Sequence, residues 1–333
     1  MATETDTSED VLTDRSDGTV DRREGERREV ESRVGWRHTL SQVQEDATAR
    51  YGFYVIVFMF AVALFAFVDA ELLDYAIAEQ FWYHPENDPT DVRTLLPPVG
   101  LENSFGEGTR AHPLGTDHRG RDILVRLVYG TRIAIQVGII STVLGMTGGT
   151  LIGAVSGYYG GWVDDILMRA VETLYAIPFL VLVIAFMTVF GRNLTFAMVG
   201  VGITTIPVFA RLIRSRVVSV REEDYVEAAR AAGVKDRNII LRHVIPNSFA
   251  PVLVQATLQV GISILIVAGL SFLGFGAQPP TPSWGQMLSK SRGFMLVDPW
   301  FSLWPGLAIL VTVMGFNLLG DGLRDAFDPR IKN

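Results

Sequence analysis

Apolar residues in this chain gather into long uncharged runs, and the lengths of those runs predict membrane-crossing helices. A helix needs roughly 20 mostly apolar residues to cross the hydrocarbon core, with about 17 as the lower limit. The first run meeting that test covers 51–68 and ends at Asp69. A glycine-rich run over 133–163 follows, then 173–191 and 193–210, the last two separated by little more than Arg192. After a charged interval, 244–289 is uncharged and must hold one span plus a loop. Gln278-Pro279-Pro280-Thr281-Pro282 marks that loop, because such a proline run cannot continue a helix. With a last run over 299–320, the pattern predicts an all-α, polytopic membrane protein with six transmembrane helices.

The spans carry signals of their own. Gly138, Gly145, Gly148, Gly149 and Gly153 lie in the second, and the pairs 145/149 and 149/153 have the four-residue spacing that lets helix backbones approach closely. That spacing fits a tightly packed translocation bundle and equally the helix packing of any membrane protein. Pro178 in the third span and Pro207 in the fourth are expected to kink their helices and free backbone carbonyls. Gln255 and Gln259 share a face of span five, Asn317 lies in span six, and such amides are expected to hydrogen-bond across helices. No ionisable pair falls at mid-membrane, which argues against a proton-driven carrier.

Charge adds an orientation. Residues 1–50 are almost wholly polar, with 13 acidic and 8 basic side chains, so 1–48 reads as a disordered, acidic, cytoplasmic tail. The net charge of −7 and the pI near 5.3 come largely from it. No apolar stretch precedes residue 51, so no cleavable signal peptide is expected. The absence of cysteine rules out disulfides and thiol chemistry. With the N-terminus inside, 20 of the 29 basic residues fall on the inner side, which predicts both termini in the cytoplasm. Trp162, Trp284, Trp300 and Trp304 lie near predicted span ends, where an aromatic interface belt would place them. The domain plan is then a first span plus extracytoplasmic segment over 49–130, a membrane domain over 131–325 and a cytoplasmic end over 326–333.

The most informative segment is the loop over 219–247, which reads as two short helices with a sharp break. Ser219 with Glu222 matches a capping box, and 222–232 is helix-favouring. Gly233 fits the left-handed position that ends such a helix. Asp236 is expected to cap a second helix over 237–243, closed by Pro246. Ala228, Ala229 and Ala232 form a face with almost no side-chain bulk, able to lie deep in a groove of another protein.

The string Tyr225-Val226-Glu227-Ala228-Ala229-Arg230-Ala231-Ala232-Gly233, with His243-Val244-Ile245-Pro246-Asn247 beginning ten residues after the glycine, resembles the EAA loop of ABC importer permeases. Two further segments narrow the resemblance. His112-Pro113-Leu114-Gly115-Thr116-Asp117, continuing to Gly120-Arg121-Asp122-Ile123-Leu124, is similar to the segment before span two in dipeptide, oligopeptide and nickel importer permeases. Leu318-Leu319-Gly320-Asp321-Gly322-Leu323-Arg324-Asp325, ending Asp328-Pro329-Arg330, resembles the tail of that group's second permease subunit, and Leu270-Ser271-Phe272-Leu273-Gly274-Phe275-Gly276 fits as well. The resemblance implies a type I importer permease (MetI-like) bundle. It makes Tyr225, Glu227, Ala228, Ala229, Ala232, Gly233, Pro246 and Asn247 the contact with an ATP-hydrolysing subunit, Glu227 pairing there with a basic residue. Asp117, Arg121 and Asp122 are expected to hold the extracytoplasmic segment against the bundle by hydrogen bonds, and no closed metal-ligand set surrounds His112 or His118.

The chain has no GxxxxGK[ST] phosphate loop, no G-x-S-x-G and no H-E-x-x-H, so it reads as a non-catalytic subunit. What the resemblance implies is a gate that binds no cofactor, with ATP and Mg on two ATP-binding partner subunits. A second homologous permease would complete the pathway, and an extracytoplasmic solute-binding protein would deliver the solute. The lipid bilayer is the other partner, and nucleic acid is not one. Di- or oligopeptides are the first expectation for cargo, with nickel or a sugar as alternatives. A stand-alone secondary transporter or channel would need no docking loop.

Overall fold

The computed structural model describes residues 46–89 and 92–327. The expected tail therefore falls almost entirely outside the described residues, as do Asp328, Pro329 and Arg330. Helix α1 (Ala47–Leu72) starts where Asp46 accepts the backbone N–H of Thr48 at 2.8 Å. Its 26 residues span about 39 Å, enough to cross a bilayer core. Tyr51, Tyr54, Phe58 and Leu64 point outward, as on a helix whose solvent is lipid. Asp69 is not a simple break in the apolar run. Its carboxylate is buried, accepts the N–H groups of Ile77 and Ala78 at 2.8 and 3.2 Å, and so caps α2 (Ala76–Phe81), while the Tyr129 hydroxyl also donates to it.

After a two-residue hairpin, β1 (Glu102–Asn103) and β2 (Gly106–Glu107), comes α3 (Ile123–Tyr159). Its 37 residues make about 56 Å of helix, far more than the membrane needs. The surplus is residues 123–132, whose Arg126 and Arg132 kept the apolar run from starting before 133. The third expected span is corrected. Instead of a kinked helix over 173–191, Pro178 separates α4 (Gly161–Ala176) from α5 (Phe179–Phe190), which meet at 89°. Ile177, held extended by the proline after it, ends α4. Alone, α5 covers about 18 Å, too short for a crossing, so the described residues hold five helices long and apolar enough to cross a membrane, or six if the bent pair is one span.

Helix α6 (Leu194–Val220) keeps Pro207 in its interior without ending there. The glycine stripe of α3 packs on it. A Cβ at Gly149 would lie 2.5 Å from the Phe209 Cβ, and one at Gly153 would lie 2.3 Å from the Ala210 carbonyl oxygen, so only hydrogen fits between these backbones. The remaining helices are α7 (Asp224–Ala231), α8 (Asp236–Ile239), α9 (Ile245–Ser248), α10 (Ala250–Phe272), α11 (Trp284–Ser291) and α12 (Trp300–Phe327). Trp284 is not an interface anchor. It is buried over Gly130 and donates from Nε1 to the Leu127 carbonyl at 3.0 Å. Asn317 faces outward from α12 and, like Gln255 and Gln259, makes no interhelical hydrogen bond among the described residues, contrary to expectation.

Helix α12 packs along α1, with Gly322 against Ala49 and Gly52 against Leu319. Both described ends of the chain therefore lie at one pole, together with α7–α9, and the 84–122 segment occupies the other.

Candidate functional site

Helix α6 runs to Val220, further than the charge pattern suggests, because Ile213 and Val217 continue its buried face. Ser219 is consequently inside α6, with its hydroxyl turned back to the Ser215 carbonyl, and the expected capping box is absent. Helix α7 starts after Glu223 with no side-chain cap, and Asp224 and Glu227 in its first turn face the positive end of its dipole. One residue anchors it: Val226 is fully buried among Phe209, Ile213, Ile239, Ile240 and Val244. Around that anchor Tyr225, Glu227, Ala228 and Ala232 are exposed, whereas Ala229 turns partly inward against the same cluster. The small face expected of the three alanines is thus split, with Ala228 and Ala232 left outward. Gly233 has φ +75°, the left-handed value that closes α7, and a Cβ there would meet open space.

The second half of the loop departs further from expectation. Residues 236–248 form one continuous helical rod in which a π-helical turn, Ile240–Val244, joins α8 to α9. Pro246 lies within that rod instead of closing it. Pro246, which has no N–H to give, sits just after the π-helical turn, and Asn247 Nδ2 donates to the His243 carbonyl at 2.6 Å. Pro246 and Asn247 are exposed. Asp236 does not cap its helix; it accepts the Tyr158 hydroxyl at 2.8 Å, at the end of α3. The Arg230 guanidinium lies 5.6 Å above the Tyr158 ring. Sequence reasoning passed over Tyr158, since a tyrosine at a span end looks like any interfacial aromatic.

The opposite pole is built from buried polar groups. Asp117 Oδ1 accepts the backbone N–H groups of Arg119 and Arg121 at 2.8 and 3.0 Å, and Oδ2 accepts Arg121 Nε at 2.8 Å. Thr116 donates to the Arg93 carbonyl and accepts the Leu96 N–H, while Leu95 N–H reaches the Asp117 carbonyl at 3.0 Å. His112 Nδ1 lies 2.8 Å from Asp122 Oδ2, and Asp122 Oδ1 caps α3 through Val125 N–H. The Pro113 carbonyl accepts the Val99 N–H, and Gly115 and Gly120 take φ of +89° and +82°. A Cβ on Gly115 would sit 2.2 Å from the Leu96 carbonyl oxygen. Arg126, almost wholly buried, donates to the Pro85 carbonyl at 2.6 Å and reaches the Pro280 carbonyl and Gln286 Oε1, both at 3.4 Å. It thereby ties the segment before α3 to the loop after α10.

His118 stacks on Phe294 and Phe301, and burial lowers its pKa. Asp298, just before α12, is fully buried with neither oxygen hydrogen-bonded among the described residues. Burial pushes its pKa up to about 6, opposed by the nearby amides of Trp300 and Phe301.

Over residues 149–333 the chain matches the family described as binding-protein-dependent transport system inner membrane component. It is 40% identical over 298 residues to the dipeptide transport system permease protein DppC of Alkalihalophilus pseudofirmus, covering 90% of this chain and 91% of that one. It is 45% identical over 244 residues to the glutathione transport system permease protein GsiD of Pectobacterium atrosepticum, covering 72% of this chain and 81% of the relative. Its fold is that of a chain in the inward-facing MetNI methionine ABC transporter, with a TM-score of 0.52 at 17% identity over 62% of this chain and 98% of the other. A bundle of apolar helices carrying an exposed two-helix loop at one pole and a hydrogen-bonded cap at the other is thus a multi-pass ABC importer permease, and the chain belongs to the family of binding-protein-dependent transport system inner membrane components.

Proposed function

We propose that this chain forms half of the translocation pathway of an importer of di- or oligopeptides and is driven by ATP hydrolysis on other subunits. The observation that carries the reading is α7 itself: pinned by one buried valine, it leaves Glu227, Ala228, Ala232 and Gly233 uncovered at the pole. A helix so mounted can be gripped from outside and can pass movement inward through Val226. The exposed Pro246 and Asn247 extend the same contact. Two ATP-binding subunits, carrying the ATP and Mg, dock at this pole, which faces the cytoplasm along with both chain ends. A second, homologous permease supplies the other half of the pathway, and an extracytoplasmic binding protein docks at the pole of the 84–122 segment. The membrane domain over 131–325 is the moving part, and 49–130 adds the first span and the outer cap. The cargo class follows the dipeptide and glutathione named for the two relatives.

Expression with the neighbouring genes and affinity purification tests the assembly. ATP-binding subunits should co-purify, and Glu227→Arg or Gly233→Pro should abolish peptide uptake. Uptake unchanged in both variants, with no ATPase retained, overturns the reading.

A further inference from the structure

The loop is mounted on α3 and α6, and these two helices are locked together by the glycine stripe. Four polar contacts then tie this end together, and two of them reach the start of α4. Tyr158, buried within the loop's apolar cluster, donates to Asp236 of α8. Arg221, at the end of α6, donates to the Gly157 carbonyl at 3.1 Å and so covers the open end of α3. Arg214 of α6 donates from Nε to Asp164 of α4 at 2.6 Å, and Ser156 donates to the same carboxylate. Between them the chain turns at Gly160 and Gly161, with φ of +65° and +52°. Past this elbow the polar ties thin to one, the Arg211 guanidinium 4.0 Å above the Tyr175 ring, and α5 is held by apolar packing alone, through the buried Val183 and Met187. Residues 172–181 are exposed almost without exception, and the break at Ile177-Pro178 turns α5 by 89°.

We infer that Tyr158 is a positioning residue for coupling. With Asp236, and with Arg214 and Asp164 beside it, it fastens the α7–α9 loop to the α3–α4 elbow, so that displacement of the loop swings α4 and is absorbed at the Ile177-Pro178 break. The loop, α3, α6 and α4 move as one lever, and α5 is the element whose angle changes. The inference rests on the reading that α7 receives its drive from an ATP-binding subunit.

The test uses the whole co-purified importer in proteoliposomes and reads dipeptide imported per ATP hydrolysed. Tyr158→Phe keeps the ring and removes the donor. It should leave ATP hydrolysis and subunit retention unchanged while lowering the ratio about fivefold, the size of one lost hydrogen bond. Asp236→Ala should do the same, and Asp236→Asn, which keeps an acceptor oxygen, should restore the ratio. Because the chain has no cysteine, paired labels can be placed freely. Labels at Asn238 and Ile166 should keep their separation when ATP binds, whereas labels at Ile166 and Val189, across the break, should shift by roughly 5 Å, one helical turn. An unchanged ratio in Tyr158→Phe and Asp236→Ala, or a changing 238–166 separation with a fixed 166–189 separation, overturns the inference. If Glu227→Arg abolishes uptake in the same preparation, the docking reading survives that failure; if it does not, both fall.

Discussion

The two poles of this permease are held by different forces. At the pole of the 84–122 segment the polar side chains are buried and bonded in fixed directions: Asp117 to Arg121, His112 to Asp122, Thr116 to two backbone groups, Arg126 to three acceptors. At the pole of α7–α9 the loop sits on Val226, Ile239, Ile240 and Val244, a hydrogen bond from Tyr158 to Asp236 ties it to α3, and the polar side chains of α7 face out. Apolar burial is strong but non-directional, so a helix seated on it can tilt or slide at little cost. A buried hydrogen-bond network loses several partners at once if it shifts. One end is built to keep its shape and the other to be moved.

Removing one carboxylate from the rigid pole gives the largest expected effect. Asp117→Ala leaves the buried Arg121 with only Asp88, 3.6 Å away, and about 3 kcal/mol of stability should be lost, measurable as a lowered melting temperature in detergent. If Asp117→Ala unfolds no earlier than the parent chain, the contrast between the poles is wrong. Next comes Asp298. Its pKa is raised in the folded chain, so the ionised form is penalised there. The penalty is absent below the unfolded value of 3.8, grows as pH rises, and is complete above about 6. Asp298→Asn should therefore stabilise the protein by on the order of 2 kcal/mol at pH 8, a gain that vanishes near pH 4. Melting curves at the two pH values check this, and an equal effect at both would sink it.

Substitutions at the movable pole should cost less stability and more transport. Gly233→Ala forces a Cβ into the left-handed region and should cost about 1 kcal/mol, read as faster amide exchange across α7. Glu227→Ala, on an exposed helix face, should change global stability by less than about 0.5 kcal/mol while lowering uptake. A large drop in melting temperature for Glu227→Ala would make the loop a structural element after all.

The spans were legible because a bilayer demands long uncharged runs, and Gly233 because few residues tolerate its φ. What could not be read depended on neighbours distant in sequence. Residues 123–132 looked like a charged loop, yet Arg126 finds its acceptors at 85, 280 and 286, and the helix continues through them. Pro178 and Pro207 carry the same local signal, but one ends a helix and the other lies within one. Ser219 with Glu222 had the right spacing for a cap, and lost it because the buried Val217 draws α6 onward. Asp236 carried the signal of a helix cap, but its pairing with Tyr158, 78 positions away, carried none.

The clasp between α1 and α12 has a consequence for biosynthesis. Of the described helices, the one synthesised first has among its principal partners the one synthesised last, with Gly52 against Leu319 and Gly322 against Ala49. Insertion order and packing order are thus opposed, and the α1–α12 contact cannot form until α12 has been made. A nascent chain that stalls before Trp300 holds α1 without that partner, its small-residue seat at Ala49 and Gly52 left unfilled.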